Sequence, residues 1–247
     1  MRKPSDVIIK GKTLQEHLDL HKKRLEYEND NVKLDLSFVD LSYVILSDID
    51  LSYADLRGAN LRNVDLHNAN LFGANLRGAD LHNANLFGAN LCGAILSDVD
   101  LSDVNLRGVD LSYANLRNAN LRYANLSYAN LCNANLRNAN LSYVNLRNVN
   151  LRNANLHSAN LSWVNLRGAD LRSANIDFSQ LNLSCNGLNF KIDNKQAKQL
   201  MYHVINLMQY SDLDVDKTIK KHMYKWLEDS HLVTKHKLSK LEEKKND

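Results

Sequence analysis

Proline is almost missing from this chain. The one present is Pro4, outside the long central segment. A stretch free of proline keeps every backbone N–H available, as paired strands require. Lysine and glutamate are absent from residues 34–183, although both are plentiful on either side. No run of eighteen apolar residues occurs, so no membrane-spanning helix is expected. The N-terminus, Met1-Arg2-Lys3-Pro4-Ser5-Asp6, lacks the apolar stretch of a secretory signal. Three cysteines are an odd number and too few for a disulfide framework; free thiols in a reducing cytoplasm are expected. No glycine-rich phosphate loop, Gly-x-Ser-x-Gly elbow or paired-carboxylate motif is found. His17 and His21 share a helix face, but a zinc site needs three or four converging ligands. An enzyme is therefore not expected, and neither a metal nor a cofactor.

What the chain does have is a beat of five. Leucine recurs at every fifth position from Leu36 to Leu171, and Ile176 and Leu181 continue the series. Two places before nearly all of them stands Ala or Val, and between them Asp or Asn, interrupted at Ile45 and Ile95 before Gln180 closes the pattern. Five matches neither the helix period nor plain strand alternation. Within a unit the small residue and the leucine are two apart and point the same way on an extended chain, while the Asp or Asn points away. The next two residues, such as Arg57-Gly58 or Arg117-Asn118, are polar or small and suit a corner. Stacked coils of such units bury a column of leucines and pair through the backbone.

The motif Ala-Asp/Asn-Leu-x-x over about 150 residues resembles the pentapeptide-repeat family. The resemblance implies an all-β solenoid, a right-handed quadrilateral β-helix with four units per coil and the small residue and leucine inside. Spacing alone leaves the number of sides open, since some identities recur at twenty residues and others at fifteen. Four per coil gives about seven and a half coils and a tube of roughly 36 Å. Cys92 and Cys132 then lie two coils apart on one face, near 10 Å, too far for a disulfide. The family includes proteins that protect gyrase by imitating DNA.

Three parts are expected. Residues 1–33 form an N-terminal helical cap, with Thr13-Leu14-Gln15-Glu16 as a capping box and Leu14, Leu18, Leu25 and His21 on one side. Residues 34–183 form the β-helix. Residues 184–247 form a C-terminal helical cap and dimerisation segment. Its apolar stripe carries Leu200, Met201, Val204, Met208, Met223 and Trp226, types favoured at interfaces. A homodimer through these helices is expected, and the family resemblance points the same way. The Glu-His-Leu-x-x-His-Lys-Lys-Arg-Leu pattern from Glu16 to Leu25 resembles leaders of pentapeptide-repeat proteins of bacteriophages and gut bacteria.

Charge along the repeats is uneven. From Leu34 to Asp110 there are eleven Asp against four Arg; from Leu111 to Leu183, two Asp against seven Arg. Two surfaces stand out. Asp80, Asp98, Asp100 and Asp103 form a candidate acidic patch, and Tyr123, Tyr143 and Trp163 a candidate aromatic column. The leading expectation is a cytoplasmic, non-catalytic protein–protein interaction module that binds a host enzyme or defence protein. The alternative is a DNA mimic acting on a topoisomerase or another DNA-binding enzyme. The net charge of +3 and the basic second half depart from the acidic tubes of gyrase-protecting relatives. Direct nucleic-acid binding is disfavoured because the arginines surround the tube instead of lining one groove.

Overall fold

A computed structural model describes residues 1–26, 33–177 and 179 of the chain. Its main body is a tube of stacked coils. Parallel bridges join Asp35 to Asp55, Asn60 to Asp80, and so on up to Asn155 with Asn175. In the repeats each bridge spans twenty residues, so four units complete one coil and the tube has four sides.

The unit around Asn125 shows how five backbone N–H groups find acceptors. Asn125 donates to Val104 O in the coil before (3.1 Å), and Leu126 to Asn145 O in the coil after (2.9 Å). Tyr128 donates to Arg147 O (2.9 Å), and Ala129 closes the corner onto Leu126 O (3.0 Å). The fifth, Ser127 N–H, donates to the side-chain Oδ1 of Asn125 at 3.1 Å. No donor is left for a proline to remove without loss. The Asp/Asn preference follows from the same geometry, because both residues carry the Oδ1 that the first corner residue needs.

Each corner is a type II turn. The bond from the small residue back to leucine closes it, and its second corner residue has φ near +60°. The positive φ holds at all twenty-eight corners from Phe38 to Trp163, Gly168 and Ser173, and the closing bond at twenty-five of them. The seven glycines of the repeats all stand at this position, where L-residues are strained.

Every repeat leucine from Leu36 to Leu171 is buried, and so are the alanines two residues before them. Each buried leucine contributes at most about 1.5–3 kcal/mol against exposure. The valines that replace alanine are mostly buried too, but Val39 and Val164 are only half-buried.

The N-terminal region is not helix alone. After a 3₁₀ turn at Pro4–Asp6, strands β1 (Ile8–Ile9) and β2 (Lys12–Thr13) form a hairpin. Lys10 and Gly11 both have positive φ, as a two-residue hairpin turn of type I′ demands. Helix α1 (Leu14–Glu26) follows. Thr13 caps it: its N–H donates to Glu16 Oε2 at 2.7 Å, and Glu16 N–H returns to Thr13 Oγ1 at 3.2 Å. Leu14, Leu18 and His21 are buried. Arg2 pairs in parallel with Val44, taking Ile45 N–H at 2.9 Å, so the N-terminal residues continue one face of the tube. The expected C-terminal residues Leu200, Met201, Val204, Met208, Met223 and Trp226 lie outside the described residues.

Candidate protein interface

The second corner residue leans along the tube onto the corner of the next coil. A Cβ on Gly58 would stand 2.6 Å from the Phe38 ring, and one on Gly73 would stand 2.9 Å from Tyr53. These two glycines are needed for the close approach as well as for φ. Tyr53 also meets Phe72 edge-on at 5.3 Å.

The same lean builds the aromatic column. Tyr123, Tyr143 and Trp163 stand twenty residues apart on one corner. Tyr123 stacks on Tyr143 with centroids 5.0 Å apart, and Tyr143 on Trp163 at 6.4 Å, with planes within 29° and 10° of parallel. The three remain about half exposed, at 47, 46 and 54%. The Arg122 guanidinium lies 4.5 Å from the Tyr123 ring centre and 5.8 Å from that of Tyr143, and bonds the Tyr123 hydroxyl at 2.9 Å. The column presents ring edges and a hydroxyl. Its inner faces are taken, which leaves no slot for an intercalated base.

The four candidate aspartates fall on one side of the tube. Asp80 and Asp100 are bridged neighbours in mid-side, while Asp98 and Asp103 occupy the two bounding corners of the Asp100 coil. Arginines temper this patch. Arg62 Nη1 sits 3.0 Å from Asp80 Oδ2, and Arg77 Nε is 3.6 Å from Asp98. Burial pushes the Asp80 carboxyl up, but the His82 N–H, the Arg62 hydrogen bond and its charge outweigh it and hold Asp80 below the usual range. Asp100 accepts from Ser102 N–H at 2.9 Å and Asn120 Nδ2 at 3.0 Å. Asp103 makes no ion pair among the described residues.

Beyond the patch, stacked amides replace repulsion with bonding. Asn140 donates to Asn120 (3.2 Å), Asn145 to Asn125 (3.2 Å) and Asn150 to Asn130 (2.9 Å). The arginines run in short columns at the corners. Arg117 lies below Arg137, Arg147 below Arg167, and Arg152 below Arg172, whose guanidinium grips Asp170 at 2.6 Å.

Cys92 and Cys132 are free thiols on one corner column, with Ser112 between them donating to Cys92 Sγ at 3.3 Å. His17 Nε2 contacts Ile9 O at 3.0 Å, and among the described residues no group of three His, Cys, Asp or Glu is placed to hold a metal ion. No helix among them is long and apolar enough to cross a membrane. Sequence reasoning missed the left-handed corner and the capping role of Asp/Asn. The signal was present in the concentration of Gly and Asn at the second corner position.

A four-sided solenoid with a leucine bore and Asp/Asn-capped corners is thus defined. The model for pentapeptide repeats matches in eight copies between residues 35 and 185. The chain belongs to the pentapeptide repeat family, whose fold is the right-handed quadrilateral β-helix. Among solved structures it is similar to HetL, a pentapeptide repeat protein involved in heterocyst differentiation regulation in the cyanobacterium Nostoc sp. strain PCC 7120. That likeness is 39% identity over 63% of this chain and 72% of that one, with a TM-score of 0.60. A second pentapeptide repeat protein from Nostoc PCC 7120 is 38% identical over 42% of this chain and 84% of its own, with a TM-score of 0.38. QnrB1, a plasmid-mediated fluoroquinolone resistance protein, is 20% identical over 68% of this chain and 91% of its own, with a TM-score of 0.36. No curated protein matches.

Proposed function

We propose that this chain is a non-catalytic protein-binding module of the cytoplasm, of phage or bacterial origin, that engages a host enzyme or defence protein. The observation that carries this reading is the exposed aromatic column. Three large rings are held rigid on corners whose φ favours Gly or Asn, and they leave ring edges and a hydroxyl outward. Rigid Tyr and Trp beside Arg is the composition of interface hot spots. In this reading the tube continues to about residue 183, making about seven and a half coils. Helical segments cap both ends, and the C-terminal helices join two copies.

A pull-down from bacterial lysate, with and without nuclease and read by mass spectrometry, tests the module. A protein retained equally after nuclease supports it. Recovery of nucleic acid alone, or of proteins lost on nuclease treatment, overturns it. A DNA mimic is the second reading, favoured by the shared side of Asp80, Asp98, Asp100 and Asp103. The arginines paired with two of them weigh against it.

A further inference from the structure

Between Asp110 and Asp170 the chain has no carboxylate side chain and six arginines. The coil geometry sorts those arginines around the aromatic column. Arg122 shares its corner, Arg117 and Arg137 stand on the adjoining corner to one side, and Arg147 and Arg167 on the adjoining corner to the other. The two flat sides between carry only Asn at their outward centres, at 120, 140 and 160 and at 125, 145 and 165. Arg152 and Arg172 lie on the diagonally opposite corner, where Arg172 is already held by Asp170.

We propose that the Tyr123–Tyr143–Trp163 corner and its two adjoining sides dock an acidic polypeptide bearing aromatic or aliphatic anchors; this rests on the protein-binding reading above. Three physical features point to that occupant. From residue 111 to 169 both sides carry arginine and no carboxylate, with Asp98, Asp100 and Asp103 confined to the coil before, and this positive field steers and orients an acidic partner. The rings offer edges, the positive rim of the quadrupole, which suits carboxylate and carbonyl oxygens. The faces between the rings are taken: Tyr143 is sandwiched by Tyr123 and Trp163, and Arg122 lies beside both Tyr123 and Tyr143. Single-stranded nucleic acid needs those faces for stacking. The backbone adds a fourth argument. A large ring at φ near +60° is strained where Asn largely is not, so stacking must offset that strain before it adds stability.

The test uses the full chain and labelled peptides: poly-glutamate, an acidic peptide interspersed with phenylalanine, and oligo-dT of matched length. Three variants are compared with the parent. The first is Tyr123→Asn with Tyr143→Asn and Trp163→Asn, the second Arg122→Ser with Arg147→Ser, the third Arg152→Ser with Arg172→Ser. Ser and Asn already fill these corner positions elsewhere, at Ser127, Ser142, Asn133 and Asn148, so the coils should be kept. The parent is expected to bind the acidic-aromatic peptide more tightly than poly-glutamate and oligo-dT. The first two variants should weaken that binding by about tenfold or more, and the third, with the same charge loss, by less than about twofold. The unfolding temperature of the first variant should stay near the parent's.

Equal weakening in the second and third variants would mean diffuse charge and overturn the site. So would unchanged binding in the first variant, or no peptide binding by the parent. Tighter oligo-dT binding that is lost in the first variant would assign the corner to nucleic acid instead. If a protein partner is retained from lysate by all three variants, the module reading stands and only this surface falls.

Discussion

Asn and Asp perform one task alike and a second differently. Both give Oδ1 to the N–H two residues on, as Asn125 does to Ser127 and Asp110 to Ser112 at 2.9 Å. Only Asn also donates to the coil before, as Asn130 does to Asp110 at 3.1 Å. Asn130→Asp should therefore keep the corner but lose that donor and place two carboxylates in register. A drop in unfolding midpoint that high salt partly restores is expected, measured by denaturant unfolding at two salt concentrations. Deeper in, Leu126 is fully buried in the bore. Leu126→Asp leaves a carboxylate there with no partner and should cost more than about 3 kcal/mol, enough to remove the cooperative transition in thermal circular dichroism. An unchanged transition would refute the packing. Gly73 is a different test, since its φ is +62° and the Tyr53 ring covers it. Gly73→Ala should destabilise the parent by about 1 kcal/mol or more. It should cost less in a Tyr53→Gly background, because a glycine one coil back leaves the equivalent Cβ positions at Gly78 and Gly93 open.

Among the elements, α1 carries a titratable group with little room to adapt. His21 is 3% exposed and its Nε2 has no hydrogen-bond partner among the described residues. Burial pulls its pKa below the ordinary histidine range; Asp50 and a Ser52 backbone bond oppose this, and Arg24 adds to the lowering. A folded-state pKa below the unfolded one means that the unfolded chain binds the proton more readily. Stability is then full above the unfolded value, about pH 6.5, and falls as the pH drops below it. Amide protection factors within Leu14–Glu26, taken against the intrinsic rate at each pH, should fall as the pH drops through that range, and His21→Leu should remove that dependence. The helix and its Thr13 cap were readable from the sequence because capping and amphipathic spacing are local. The hairpin before it was not read, although Lys10-Gly11 between Ile8-Ile9 and Lys12-Thr13 carries the two-residue turn. In the repeats, the inward leucines were legible because a spacing of two fixes which side chains share a face. The count of sides was not, since fifteen and twenty both recur in the letters. The Arg62–Asp80 pair joins residues eighteen apart in sequence and becomes a contact only once twenty residues close a coil.

For the whole molecule the open question is which half of a polarised tube meets a partner. Acidic residues dominate the first half of the repeats and arginines the second, and the net charge is +3. A DNA mimic needs a continuous negative track; here Arg62 and Arg77 sit within the acidic side itself. Replacing Asp80, Asp98, Asp100 and Asp103 together by Asn separates the readings. At 80 and 100 Asn keeps the Oδ1 acceptor that Ser102 and His82 N–H require, at 3.0 Å for His82. At the corners of 98 and 103, φ of +61° and +60° is as accessible to Asn as to Asp. The fold should thus survive, with an unfolding midpoint close to the parent's. If the acidic side imitates a phosphate backbone, the variant should lose inhibition of any DNA-binding target, and the parent's binding should fall steeply with salt. The protein-interface reading expects the opposite: a partner of the parent is bound by the variant with unchanged or greater affinity, because removing four negative charges strengthens the positive field at the arginine-flanked corner. Binding measured for parent and variant at low and high salt decides between the two, since only the mimic loses its partner with those four carboxylates.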